Sequence, residues 1–310
     1  MEKIIDAIDK DLLKSELSHD KLVRNTVKGN NQIFSITHHN SPNVMREIGR
    51  LREISYRHTD SGTGKSCDID TLDTAVIPYN QLVVWDSEKE EIIGGYRYII
   101  CRNVPVDENN TPLIGTARLF QFSEKFKNEY LPFTIELGRS FVQPDYQSTK
   151  NIRKSLYALD NLWDGLGALV VNYPDMKYFL GQVSVYTQTN NLARDLIVYF
   201  LRENFPDKEK LVVAKESVKL YHNEERIRAY FNGNNLKENM RILSREVRAL
   251  KENIPPLINT YINTSPSMKT FGTTHNPFFH NMEDTGILIS IEDIYEAKRE
   301  RYITTFRNSH

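Results

Sequence analysis

The stretch from Gln81 to Cys101 constrains the fold more than any other part of this chain. It reads QLVVWD, then the charged turn SEKEE, then IIGGYRYIIC. Two apolar runs rich in Val, Ile, Trp and Tyr, joined by a short polar connection, predict an antiparallel hairpin. After a loop rich in Pro, Asn and Asp, Phe133 to Val142 (FTIELGRSFV) predicts a further strand. It is followed by a helix over Ile152 to Val171, a strand over Phe179 to Tyr186 and a capped helix over Asn190 to Phe205, closed by Pro206. Antiparallel strands thus precede a strand-helix-strand-helix unit. The expected class is α/β (α+β), a mixed, mostly antiparallel sheet flanked by helices, and not the strict alternation of a doubly wound sheet.

Upstream, Ile4, Ile5, Ile8, Leu12 and Leu13 carry a helical period, and Ile33 to Ile36 reads as a short strand. Ser41-Pro42-Asn43 opens a helix over Val44 to Tyr56, and a polar loop runs from His58 to Asp73. Downstream, Leu236, Met240, Leu243, Val247, Leu250 and Ile254 line one helix face, ended by Pro255-Pro256. A segment of small and aromatic residues then leads to a strand at Ile287 to Ile291 and a charged terminal helix. The expected division is an N-terminal extension (1–42), a core (43–213) and a C-terminal extension packed on it (214–310).

Charge narrows the partners. The 40 Lys+Arg and 41 Asp+Glu residues leave a formal charge of -1, which argues against nucleic-acid binding. Two cysteines, Cys67 and Cys101, cannot supply a disulfide framework. The amphipathic, acidic N-terminus lacks the blocks of a signal peptide, and no run reaches the ~20 apolar residues that span a bilayer. The expected location is cytoplasmic, with peripheral contact to the inner membrane left open.

Several motifs read as ordinary structure. DSGTGKS at Asp60 to Ser66 lacks the first glycine of a phosphate loop, follows no apolar strand and is expected to be a flexible loop. His38, His39, His275 and His280 match no zinc spacing, so no metal is expected. Cys101, ending an apolar strand, reads as a small core residue.

Charged residues inside the strands are more informative. Strand alternation puts Glu136 and Arg139 of TIELGRSFV on opposite faces, whereas a bulge near Gly138 would bring them together. Arg97 sits in an equally apolar strand behind two glycines. Groups in such places must be satisfied or the fold suffers, so a structural ion pair is one reading and a working site the other.

The motifs across residues 43–300 resemble, in order, those of a bacterial family of GNAT-like acyltransferases. These are the ornithine-lipid and glycine-lipid N-acyltransferases, often labelled hemolysins, with acyl-homoserine-lactone synthases as distant relatives. Leu51-Arg52 with Tyr56 resembles the family's helix end, and DIDTLD (Asp68 to Asp73) its acidic loop. Gln81-Leu82-Val83-Val84 is similar to "HLLV", Gly95-Tyr96-Arg97 to "GTYR", and Glu136-Leu137-Gly138-Arg139 to "EIGR". Pro144-Asp145-Tyr146, Leu162-Trp163-Asp164-Gly165 and Pro255-Pro256-Leu257-Ile258 with Tyr261 continue the series. TGKSCDIDTLD and IIGGYRY look most like the glycine-lipid group.

The resemblance implies a GNAT-like fold and direct transfer of a fatty acyl group from a thioester to the amine of glycine or ornithine in aminolipid synthesis. Glu136 would be the base. Arg97 and Arg139 would hold the acceptor's carboxylate or buttress the acids, and Arg52, Asp70 and Asp73 would order the entrance loop. Backbone N–H groups near Phe141 and Val142 would meet the thioester and its pantetheine arm. Lys150, Arg153 and Lys154, opening a helix, would meet the donor phosphate. No bound cofactor is implied, only acyl-ACP or acyl-CoA as co-substrate. The loop Gln147 to Asn151 lacks the glycines of a coenzyme A pyrophosphate loop, which favours an acyl carrier protein. Arg241, Arg245 and Arg248, away from the apolar helix stripe, would suit such an acidic partner or simply face solvent. Rival expectations are an O-acyltransferase, a lactone synthase using S-adenosylmethionine, and a non-catalytic carrier- or membrane-binding module.

Overall fold

A computed structural model of the protein describes residues 1–147 and 152–307, without the side chains of 152–156. In chain order the elements are α1 (Lys10–Glu16), β1 (Leu22–Asn25), β2 (Gln32–Ile36), α2 (Pro42–Arg57), β3 (Asn80–Asp86), β4 (Glu91–Ile100), β5 (Phe120–Phe122), β6 (Thr134–Val142), α3 (Ile152–Asn172), β7 (Tyr178–Tyr186), α4 (Asn191–Asn204), β8 (Val212–Ala214), α5 (Glu224–Arg228), α6 (Leu236–Ala249), α7 (Pro256–Ile262), β9 (Lys269–His275) and β10 (Met282–Ser290). A short helical segment, 296–307, closes the described chain. None of the described helices is long and apolar enough to cross a membrane.

The chain forms two compact units, each assembled from separate stretches. One comprises Met1–Pro105, Phe133–Lys177 and Glu296–His310; the other Val106–Pro132 and Tyr178–Tyr295. The boundaries expected at 42/43 and 213/214 therefore fall inside units and not between them.

In the first unit β1, β2, β3, β4 and β6 lie side by side, every pair antiparallel. The expected hairpin is β3–β4. One face carries Phe34, Ile36, Val83, Trp85 and Phe141, which bury Val44, Met45, Ile48 and Leu51 of α2 together with Leu13 of α1. The other face presents Leu82 and Tyr96 to Gly165 of α3, where a Cβ would come within 2.5 Å of Leu82 Cδ2. α2 and α3 thus sandwich the strands, and apolar alternation drives both contacts.

The second unit holds the antiparallel set β7–β10–β9 and the pair β5–β8. Its helix α4 is buried from Ala193 to Leu201. Glu283 of β10 and the neighbouring Asp195 both engage Arg194 of α4, at 2.8 and 2.7 Å.

Three expectations need correction. The first helix starts at Lys10 and not Ile4, because the preceding backbone is used elsewhere: Glu2 N–H donates to Gly64 O at 2.7 Å and Ile5 N–H to Ser66 O at 3.1 Å. Asp9 then caps the helix. α6 stops at Ala249, short of Ile254, since Lys251 takes a left-handed φ of 63°. The stretch ahead of Ile287 is not irregular: it forms the hairpin β9–β10, and the last strand begins at Met282.

Candidate active site

The first unit gathers its charged residues on the α2 side of β3, β4 and β6. Cross-strand register puts Gln81 opposite Arg97, Arg97 opposite Gly138, and Ile99 opposite Glu136. Residues paired across strands share a face, so Gln81, Arg97 and Glu136 project together. Between the pairs Arg97–Gly138 and Gly95–Phe141, β6 places two residues, Arg139 and Ser140, against the single Tyr96 of β4. This is the anticipated bulge, one position beyond Gly138, with Arg139 at φ 53°. The carbonyl of Ser140 accepts the Tyr56 phenol from α2 at 3.1 Å. Gly94 and Gly95 let the strands close here: a Cβ on either would sit 2.5 Å from a backbone oxygen, of Phe141 and Leu82 respectively.

The acidic loop between α2 and β3 fills the space over this face. Arg52, fully buried, pairs with Asp73 at 3.3 Å and donates to Gln81 Oε1. Arg97 reaches Asp70 at 2.8 Å and Asp73 at 3.2 Å. Arg139 reaches Asp70 at 3.2 Å and Asp68 at 3.4 Å. Gln81 closes the ring by donating to Asp73 Oδ1 at 3.0 Å. Burial pushes the Asp73 carboxyl up, but Arg52 and Arg97 outweigh it and hold it below its ordinary value. For Arg97, burial opposes the charge, and Asp73 and Asp70 more than restore it. Three guanidiniums thus meet three carboxylates, which fixes the loop and spends the arginines internally.

Glu136 stands beside this network, 2 % exposed. Its Oε2 accepts the phenol of Tyr79, and the Arg97 guanidinium lies over the Tyr79 ring at 4.7 Å. Burial, then the Glu136 charge, push that phenol far above its ordinary range, so Tyr79 remains a donor. The buried Cys101 thiol lies close by and is pushed up by the same two influences.

Of the residues singled out from sequence, Arg52, Asp70, Asp73, Arg97 and Arg139 form one network, and Glu136 joins it through Tyr79. Phe141 is part of the core under α2, while Val142 is half-buried at the end of β6. Lys150 lies outside the described residues. Arg153 and Lys154 fall in the first turn of α3, where side chains are also outside the description. Sequence reasoning missed Asp68, Tyr79 and Gln81. Asp68 alternates with Asp70 and Gln81 is a polar lead to an apolar strand, which were usable signals; Tyr79 offered none.

DSGTGKS is no phosphate loop, but it does wrap an anion. Thr63 N–H, Thr63 Oγ and Gly64 N–H donate to the buried Glu53 of α2 at 3.1, 2.7 and 2.9 Å.

Residues 51–156, which contain the whole network from Arg52 to Arg139, match the family described as Acetyltransferase (GNAT) domain. The complete chain is similar to two proteins named glycine N(alpha)-acyltransferase. That of Bacteroides thetaiotaomicron is 52 % identical over 310 residues, 100 % of this chain and 92 % of the relative. That of Phocaeicola vulgatus is 50 % identical over 310 residues, 100 % of this chain and 95 % of the relative. Among solved structures, a CoA-dependent acyl-homoserine lactone synthase is matched at TM-score 0.37 and 10 % identity, over 90 % of this chain and 89 % of that one. With its site inside the GNAT region and its full length shared with those relatives, the chain is a GNAT-domain acyltransferase and belongs to the glycine N(alpha)-acyltransferase family.

Proposed function

We propose that the protein moves a fatty acyl group from a thioester to the amine of glycine, as a step in aminolipid synthesis. The observation that carries this reading is the placement of Glu136: a carboxylate in mid-strand, near a bulge, oriented by a phenol and set beside a balanced ionic network. In the reaction, Glu136 takes a proton from the acceptor's ammonium. The freed amine attacks the thioester carbonyl; the C–N bond forms, the C–S bond breaks, and the departing thiolate takes up, as thiol, the second proton that the nitrogen sheds on becoming an amide. Backbone N–H groups around Phe141 and Val142, beside the bulge, supply donors for the oxyanion and the pantetheine amides. Because Arg97 and Arg139 already serve Asp68, Asp70 and Asp73, their part is to buttress the acids, and the acceptor's carboxylate is met elsewhere. Arg52, Asp70 and Asp73 keep the entrance loop ordered.

The donor is an acyl carrier protein in preference to coenzyme A. Two features support this: the glycine-free sequence from Gln147 to Asn151, and the exposed Arg241, Arg245 and Arg248 on α6, whose Leu243 and Val247 are buried. An acidic carrier is complementary to that face. Mass spectrometry of purified protein with acyl carrier protein or acyl-CoA and either glycine or ornithine tests the reading. N-acylglycine formed by the native enzyme and lost in Glu136→Gln supports it. Product on a hydroxyl, a lactone formed from S-adenosylmethionine, or no product with any donor overturns it.

A further inference from the structure

We infer that Tyr79 is the positioning residue for Glu136, holding that carboxylate in register with the arginine–aspartate network. The inference rests on the reading of Glu136 as proton acceptor and adds a residue that no motif marked. Tyr79 is 1 % exposed and engaged at three levels. Its phenol donates to Glu136 Oε2, its ring lies under the Arg97 guanidinium, and its backbone ties into the acidic loop. Its N–H donates to Leu72 O at 3.1 Å, and its carbonyl accepts the Gln81 amide at 3.3 Å, the same amide that donates to Asp73. One residue therefore touches the base, a guanidinium that pairs with Asp70 and Asp73, and the loop carrying those acids.

Physical chemistry explains why a tyrosine suits this place. A buried carboxylate needs donors, and a cation in direct contact would hold it as a spent ion pair. A neutral phenol orients the carboxylate without adding charge. Burial keeps it neutral, and the Glu136 charge and the Cys101 thiol add to that, together outweighing the opposite pull of Arg97, which is already paired to Asp70 and Asp73. Removal of the phenol hydroxyl takes away a donor that fixes the carboxylate and frees its rotamer.

Tyr79→Phe keeps the ring that Arg97 covers and deletes only the donor. In steady-state assays with hexadecanoyl thioester and glycine, kcat falls about 10- to 100-fold, the span of a hydrogen bond to a charged group. KM for glycine holds, and the acidic limb of the kcat/KM profile moves to higher pH. Wild-type kcat with an unmoved limb overturns the inference, as does a loss of kcat with the limb in place, which is the mark of a merely structural residue. A second variant guards against misfolding: 3-fluorotyrosine at position 79 is nearly isosteric, and its fluorine NMR signal is read without turnover. The signal is expected to shift when Glu136→Gln is introduced; indifference to that substitution overturns the inference. If the native protein acylates no amine, the functional reading fails on its own, and the fluorine signal still decides whether Tyr79 and Glu136 act as a pair.

Discussion

Arg97 on β4 stands opposite Gly138 on β6, and the next register pair, Gly95 with Phe141, leaves Arg139 and Ser140 facing Tyr96 alone. That single extra residue turns Arg139 back toward Asp70, which Arg97 already holds. It does so at a left-handed backbone angle, φ 53°, that side-chain-bearing residues adopt reluctantly. In an ordinary strand, glycine is less stable than alanine by about 0.5–1 kcal/mol. At position 139 the order inverts: Arg139→Ala is expected to be less stable than Arg139→Gly by about 1 kcal/mol. Both variants lose the ion pairs to Asp68 and Asp70, so activity falls in both. Urea unfolding of the two checks the order, and alanine above glycine removes the bulge from the account.

Asp73 sets an acid limit on the fold. Burial raises its carboxyl, yet Arg52 and Arg97 prevail and hold it below the ordinary 3.8. A carboxyl depressed in the folded state stabilises when ionised. Its contribution is complete above the unfolded pKa and drains away as pH falls through the folded one. Native protein is therefore expected to lose stability steeply below about pH 4. Asp73→Asn loses about 3–5 kcal/mol at pH 7, because buried guanidiniums lose their counter-charge, and its stability falls less steeply over that acid window. Chemical unfolding at a series of pH values reads both; an unchanged acid slope in the variant contradicts the role given to Asp73.

Much of this was legible in the residues. The β3–β4 hairpin, α2, α3, β7 and α4 follow from apolar period and caps, since each buries one regular face. The ELGR strand announced its oddity by carrying charge in an apolar run, and the bulge that reconciles Glu136 with Arg139 was foreseeable as a question of alternation. What escaped has a common physical cause. Residues 1–9 carry a helical period, but their backbone bonds to residues 64–66, a long-range partnership no local pattern records. β9 reads KTFGTTH, with Phe271 its one large apolar residue, and Thr273 bonds Thr285 across the strands where an apolar pair would have marked the strand. Tyr79 gains its place only from its three-dimensional neighbours.

Glu53 anchors the glycine loop and, through it, the N-terminal strap. With Thr63 and Gly64 donating to it and Arg57 paired at 2.8 Å, its removal leaves the loop's N–H groups without their acceptor. Glu53→Ala is expected to make the bond after the exposed Lys65 several-fold more susceptible to trypsin, and to free the segment that pairs with it from Glu2 to Ile5. Cleavage at Lys65 at the native rate would show that the loop holds its own shape.

Gly167 tests whether α3 depends on the end of the chain. α3 covers the sheet face of Leu82 and Tyr96, and its own far side is covered by segment 296–307, where Tyr302, Ile303 and Phe306 are buried. The two backbones touch at Gly167: a Cβ there would lie 2.0 Å from Tyr302 O and 2.5 Å from its carbonyl carbon. Neither is the end of a flexible side chain, so the segment itself must move. Arg24 spans the same seam, donating to Asp164 O at 3.3 Å and Tyr302 O at 3.4 Å. Gly167→Ala is therefore expected to cost about 1–3 kcal/mol despite alanine's better helix propensity, and to open the terminal segment to carboxypeptidase. A chain shortened to residue 295 should show a comparable loss, and Gly167→Ala made in that shortened chain should cost nothing further, because the atoms it strikes are gone. An equal penalty in the full and shortened chains would place the strain within α3 itself.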